Sequence, residues 1–318
     1  MKSLSVNIIG AGAIGHLWAC FLKRDGCDVS IYTRTPRKSQ RVNVHSPIGS
    51  FSCDIDYLTL EQWKEADVTL ICIKAFQLTE LCQTLAQNNT SESPIILIMN
   101  GMGLIEIATH ALPNTAIFQA SFVQGVLLDP TPNGITLTHT GNGTTNIGDV
   151  LKLDLDLDLD LDLDLNLEGN NKINSIITYL DHALPTVYWN NKHQQTMILK
   201  LFINAIINPV TALKNINNGE IIVDGKLDKL AQALLQELSP LISELLPSYT
   251  YKEVQQKIIN VAESTANNRS SMLQDVEQGK QTEIDFINGY IIKLAQERAI
   301  KLSEHCKIVQ AIHQRGFS

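Results

Sequence analysis

The sequence predicts an α/β amino-terminal domain built on a parallel, dinucleotide-binding sheet, followed by an all-α carboxy-terminal domain. Three observations carry this. Leu4 to Leu22 reads as strand, glycine-rich turn and helix; two further apolar runs, 66–73 and 94–99, suit strands covered on both faces; and beyond Asn191 strand signals give way to helical periodicity. At 318 residues the chain is long enough for two cores. The expected boundaries are 1–190 and 191–318, with a low-complexity Leu-Asp insertion over 151–168 inside the first domain.

The first strand ends in Gly10-Ala11-Gly12-Ala13-Ile14-Gly15, a GxGxxG with strand before it and helix after it, the fingerprint of a Rossmann-type domain. The first glycine makes the tight turn, the second admits a pyrophosphate to the backbone, and the third lets helix pack on strand. The phosphates then meet the free N–H groups of the helix amino end, so Gly10, Gly12, Ala13, Ile14 and Gly15 are cofactor-binding candidates. The bare alternative is a glycine turn with no ligand.

The second strand is Asp28 to Thr33. At its end an NAD-preferring protein usually carries an acid for the ribose 2′-hydroxyl, but here the chain reads Tyr32-Thr33-Arg34-Thr35-Pro36-Arg37-Lys38. Arg34, helped by Thr33, Arg37 or Lys38, can accept a 2′-phosphate, which favours NADP; a solvated basic loop is the alternative. Residues 51–60 read as a short β excursion. The runs 66–73 and 94–99 lead into Lys74, Gln77 and Asn100, and ligands bind beyond the carboxyl ends of such strands. The alternative for each of these three side chains is a hydrogen bond that fixes its loop.

From Thr115 shorter β segments, AIFQASF, GVLLD, GITLTHT and TTNIG, read as an extension finishing the first domain. The Leu-Asp tract that follows alternates strictly, yet its aspartates repel along one face, so a surface insertion is expected. Residues 173–184 are amphipathic, and 186–189 could be the last strand of the sheet.

In the second half, Lys200 to Leu213 places Lys200, Asn204 and Asn208 on one narrow helical face, flanked by Leu201, Ile203, Ile206 and Ile207. A helix greasy nearly all round must find partners for that polar stripe inside the protein. The lysine is then either catalytic or satisfied by a structural carboxylate. Further helices are expected over 227–246, 251–268, 282–299 and from Leu302. An active site where the helical domain meets the nucleotide domain is the default expectation. Ser271 and Glu283 cannot share one face of a straight helix, but a break at Gly279 could bring them to one cavity.

Composition narrows the partners. The net charge of −8 is concentrated in 151–168, which holds seven acids against Lys152, leaving the remainder near −2. No basic face points to nucleic acid. The six cysteines and eight histidines show no metal-ligand spacing, which argues against a bound metal and for a reducing compartment. No signal peptide and no run of roughly 18 apolar residues is apparent, so no membrane partner and a cytoplasmic location are expected.

Taken together, GAGAIG at 10–15, IKAFQ at 73–77, NGMG at 100–103, KLFINAIINPVTAL from Lys200, SSMLQD from Ser270 and TEIDFINGY from Thr282 resemble, in order, the blocks of the ketopantoate reductase (2-dehydropantoate 2-reductase) family. That resemblance implies reduction of ketopantoate by NADPH to (R)-pantoate on the way to pantothenate and coenzyme A. It implies Lys200 as the proton donor, Glu283 as its orienting carboxylate, and Asn100, Asn204 and Asn208 as polar substrate and cofactor contacts. Ser271 matches the serine that holds the substrate carboxylate, Lys74 with Gln77 the cofactor-side pair, and Arg34 the 2′-phosphate ligand. Two alternatives remain: a related 2-keto acid reductase with another side-chain pocket, and a non-catalytic NADP-binding sensor. A monomer or homodimer is expected. The chain departs from the family where it reads Ala299-Ile300-Lys301-Leu302-Ser303-Glu304 in place of a Gly- and Pro-containing turn.

Overall fold

Apolar strands covered on both faces form the centre of the eight-stranded main sheet of the computed structural model. The structure describes residues 3–87, 93–132, 134–141, 143–148 and 167–316. The Leu-Asp repeat over 151–166 lies outside these described residues. In chain order the strands are β1 (Ser5–Ile9), β2 (Asp28–Tyr32), β3 (Gln40–His45), β4 (Phe51–Ile55), β5 (Tyr57–Leu58) and β6 (Val68–Ile71). After them come β7 (Ile95–Leu97), β8 (Ile117–Phe122), β9 (Gly125–Thr131), β10 (Gly134–Gly141), β11 (Thr145–Gly148) and β12 (Val187–Trp189). The helices of this part are α1 (Ala13–Arg24), α2 (Leu78–Gln87), α3 (Leu104–Ala111) and α4 (Leu167–Ala183).

The main sheet runs β12-β11-β8-β7-β6-β1-β2-β5, parallel from β5 to β8, with β11 antiparallel to β8 and parallel to β12. The order reverses at β1, which pairs β2 on one side and β6 on the other, and the glycine turn sits at its carboxyl end. The β segments after Thr115 do not act as one extension. β8 and β11 join the main sheet, whereas β9 and β10 leave it and pair with β3 and β4 in a four-stranded second sheet. Sequence pattern misses this because β3, QRVNVH, is short and carries only two apolar residues, and its partner β10 is more than ninety positions away, Val42 facing Ile135.

The helical part contains α5 (His193–Lys214), α6 (Lys229–Glu237), α7 (Ser239–Leu245), α8 (Tyr251–Ser264), α9 (Ser271–Glu277), a π-helical turn (Asp285–Gly289), α10 (Tyr290–Glu297) and α11 (Ser303–Gly316). The expected single helix over 227–246 is two, because Pro240 at the start of α7 has no N–H to continue the ladder of α6. The chain divides into one compact unit of residues 1–99 and 104–194, and a second of residues 100–103 and 195–318.

By length and hydropathy α5 could cross a bilayer, with a mean hydropathy of 1.6 over its best window. Two thirds of that window is instead buried in the protein, which makes it a core helix. All six cysteines are free thiols, and Cys20, Cys27, Cys72 and Cys82 are buried.

The turn that departs from the family pattern keeps a tight helix stop without glycine. Ala299 adopts φ +53°, and the Ile300 amide donates back to the Ala295 carbonyl at 2.8 Å. An alanine in the left-handed region costs about 1–2 kcal/mol relative to the unstrained state. Ala299→Gly should therefore raise stability by roughly 1 kcal/mol, read as a higher midpoint in urea with unchanged slope.

Candidate active site

In the first unit the cofactor candidates sit at the turn from β1 into α1. Gly10 has φ +110°, and a Cβ there would lie 2.5 Å from the Cys72 carbonyl oxygen; a Cβ on Gly15 would collide with the Gly10 carbonyl. Gly12 differs from both. It faces open space, and as N-cap of α1 it supplies no side-chain cap, so the helix amino end keeps donors for an anion. The residues present thus fit the diphosphate of a dinucleotide, and Ala13 and Ile14 supply the first-turn amides.

His16 is a residue of this turn that sequence pattern passes over. It is fully buried one turn into α1, with Nδ1 2.9 Å from the Gly12 carbonyl and Nε2 2.7 Å from the Tyr57 hydroxyl. The carbonyl only accepts, so Nδ1 carries the proton and Nε2 accepts from Tyr57. Burial lowers the His16 pKa, keeping the ring neutral. Its signal in the sequence is a lone polar residue on an otherwise apolar helix face.

At the end of β2, Thr33 turns inward and donates to the Thr35 carbonyl at 2.8 Å, which removes it as a helper to Arg34. Arg34 is exposed and pairs with Glu80 at 3.3 Å, both side chains more than two thirds open to solvent. Such a pair holds the guanidinium weakly and yields readily to a phosphate. Arg37 and Lys38 line a cavity of about 380 Å3 together with Ala11, His16 and Gln40, closed on its apolar side by residues of β9 and β10. In the loop after β6, Gln77 Oε1 accepts from the Lys74 amide at 3.1 Å, so part of that side chain fixes the loop. Lys74 and Gln77 are both partly exposed.

In the second unit three of the expected residues come together. Lys200 lies on α5 and Glu283 directly precedes the helix that begins at Ile284, where a helix amino end favours an anion. Glu283 is 5% exposed. Desolvation pulls the Lys200 pKa down and the Glu283 charge pushes it back, leaving it at about 8. Asn100 joins them, its Nδ2 3.5 Å from Glu283 Oε2.

The Asn100 loop is fastened to the π-helical turn. Met102 N–H donates to the Phe286 carbonyl at 3.0 Å, and Gly101, at φ +99°, has Phe286 Cβ and O within 2.8 Å of where a Cβ would stand. Only glycine permits that approach.

The polar face of α5 is less uniform than its spacing suggests. Lys200, Ile203 and Asn204 are partly exposed, whereas Asn208 is 7% exposed and Leu201, Ile206 and Ile207 are buried. Helix α9 does end before Gly279, at φ +61°, but Ser271 is exposed. The buried serine is its neighbour Ser270, which caps α9 by accepting from Leu273 N–H and lies 2.7 Å from Thr211 Oγ1. No group of three or more metal-ligating side chains occurs among the described residues.

Comparisons with known proteins agree over almost the entire chain. The family model "Ketopantoate reductase PanE/ApbA" matches residues 6–152, and "Ketopantoate reductase PanE/ApbA C terminal" matches residues 192–316. A curated 2-dehydropantoate 2-reductase of Salmonella typhimurium is 31% identical over 98% of this chain and 95% of its own. Among solved structures, the dimeric ketopantoate reductase of Staphylococcus aureus superposes with a TM-score of 0.76 at 19% identity, covering 98% of this chain and 99% of its own. A D-mandelate dehydrogenase solved with NADH and anilino(oxo)acetate gives 0.79 at 16% identity with 98% of each chain covered, a likeness of fold.

Proposed function

The chain belongs to the ketopantoate reductase family, and we propose on that premise that it reduces 2-dehydropantoate to (R)-pantoate with NADPH, Lys200 delivering the proton. The observation that carries the reading is the buried carboxylate of Glu283 acting on an amine whose pKa stands at about 8. Bound NADPH supplies the hydride. Reduction of the keto group places negative charge on its oxygen, and the Lys200 ammonium neutralises that charge and gives up a proton. Lys200 must then regain a proton from solvent, which a pKa near neutrality permits.

Glu283 holds the ammonium in its charged form before the step and, through Asn100, is itself held in place. Asn204 and Asn208, one and two turns along the same face of α5 as Lys200, are the substrate's polar contacts in this reading, and Ser271 binds its carboxylate. On the cofactor side the glycine turn takes the diphosphate, Lys74 and Gln77 flank it, and Arg34 exchanges Glu80 for the 2′-phosphate. Arg37 and Lys38 add positive charge in the neighbouring cavity.

The direct test is loss of NADPH absorbance with ketopantoate, pyruvate and 2-ketoisovalerate compared side by side. A marked preference for ketopantoate is expected. A neighbour of the same fold is named a D-mandelate dehydrogenase, and equal or better rates with another keto acid would favour a related reductase. Binding of NADPH with no keto-acid-dependent oxidation would leave only a sensor. Arg34→Ala should lower the NADPH-to-NADH ratio of kcat/KM by roughly tenfold, the equivalent of ~1.4 kcal/mol; an unchanged ratio would move the 2′-phosphate to Arg37 and Lys38. A homodimer, the state named for the Staphylococcus aureus relative, is the proposed assembly, and sedimentation at assay concentration reads it.

A further inference from the structure

Helix α5 contains a proline, and its consequence reaches the other side of the catalytic pair. Pro209 has no N–H, so the Ala205 carbonyl, four residues earlier on the helix that carries Lys200, loses its partner in the helical ladder. That carbonyl is buried, and an acceptor left unpaired there would be costly. Asn288 supplies the missing donor: its Nδ2 lies 2.9 Å from the Ala205 oxygen. Asn288 stands in the π-helical turn, five residues after Glu283 and fully buried. π-turns inside helices recur at functional sites because they re-aim side chains.

The amide can take only one orientation. Ala205 O accepts and cannot donate, so the nitrogen of Asn288 must face it. The second hydrogen of that nitrogen goes to His305 Nδ1 at 3.0 Å, which must present a lone pair. The proton of His305 is therefore on Nε2, where it is donated to the Leu234 carbonyl at 3.1 Å. Each member dictates the next, from the α6 carbonyl to the α5 carbonyl.

His305 is wholly buried, and desolvation keeps it neutral against the Leu234 carbonyl and the Glu237 carboxylate, which favour the charged form. Glu237 is occupied by the Glu304 and His305 amides. The contact between Asp285 and His313 on the turn itself lies on its exposed side.

We propose that Asn288 is a positioning residue for the reaction: it ties the turn that follows Glu283 to the helix that carries Lys200, with His305 locking its amide. The proposal rests on the reading of Lys200 and Glu283 as proton donor and partner. It assigns a role to a buried asparagine and a histidine that touch neither substrate nor cofactor. Freed from this tie, Glu283 supports the charge on Lys200 less, and burial then dominates the amine.

The test is the pH profile of kcat for the full-length protein with NADPH and ketopantoate, alongside KM for NADPH and Tm. Asn288→Leu keeps the volume and removes both donated bonds. It should lower kcat by roughly tenfold or more while leaving KM for NADPH within about twofold. Its alkaline limb should move down by roughly half a pH unit, because the amine loses its proton earlier. His305→Leu should shift the limb the same way.

His305→Gln restores both bonds, since its carbonyl oxygen can accept from Asn288 and its amide donate to Leu234, and should return the profile to that of the parent. If Asn288→Leu does not fold, Asn288→Ser, which keeps a single donor, takes its place with a smaller shift. A limb that stays fixed in every variant while Tm falls would make Asn288 and His305 purely structural and overturn the proposal. A parent profile with no alkaline limb would instead defeat the reading of Lys200, so the two failures are distinguishable.

Discussion

Lys200→Ala should lower kcat by roughly 10²-fold or more, the scale on which a positioned general acid contributes. The parent enzyme should show kcat level below pH 8 and falling above it, because Lys200 acts in its protonated form and its pKa is about 8. The sign follows from the balance of causes. Burial removes water that stabilises the ammonium, and Glu283 restores only part of that stabilisation. Glu283→Gln removes the restoring charge, so its limb should move to lower pH as well as its rate falling. Near-normal turnover by Lys200→Ala, with bound NADPH demonstrated by fluorescence transfer, would end the assignment of the proton donor.

The glycine turn provides the second large effect, through a contrast between two substitutions that look alike in sequence. Gly12→Ala adds a methyl group into open space, so the protein should fold with a Tm close to the parent's. If the diphosphate lies against this turn as proposed, that methyl stands in its way, and KM for NADPH should rise at least roughly tenfold, ~1.4 kcal/mol of binding. Gly15→Ala drives its Cβ into the Gly10 carbonyl, which is held by the β1–α1 turn and has nowhere to go. It should unfold the turn and cost several kcal/mol, on the order of the largest single-site losses. If Gly12→Ala binds NADPH as the parent does, the diphosphate does not lie against this turn.

These effects show where sequence reading stops. The order of β1, turn and α1 is local, because glycine positions, strand alternation and helix entry fall within some twenty residues. The parallel core strands are legible for the same reason: runs such as 68–71 and 95–97 are short, nearly all apolar and buried on both faces, as strands of a covered parallel sheet are. The second sheet is not legible. It depends on β3 meeting β10 across a long stretch of chain, and neither strand announces its partner.

The candidate site divides along the same line. That Lys200, Asn204 and Asn208 share a face of one helix is a consequence of 3.6 residues per turn, readable from spacing alone. Which serine is buried was not readable, since Ser270 and Ser271 are adjacent and differ only in which one caps α9. Nor was the fate of Thr33, whose hydroxyl turns into its own loop.

What the sequence by itself determined is the set of local geometries: a phosphate-ready turn, apolar strands, and a helix bearing an amine among asparagines. Folding decided the amine's chemistry, because a pKa is a property of surroundings, and those come from burial and from a carboxylate 83 positions away. Glu283, Asn100 and the carbonyl freed by Pro209 acquire meaning only when distant segments are pressed together and water is gone.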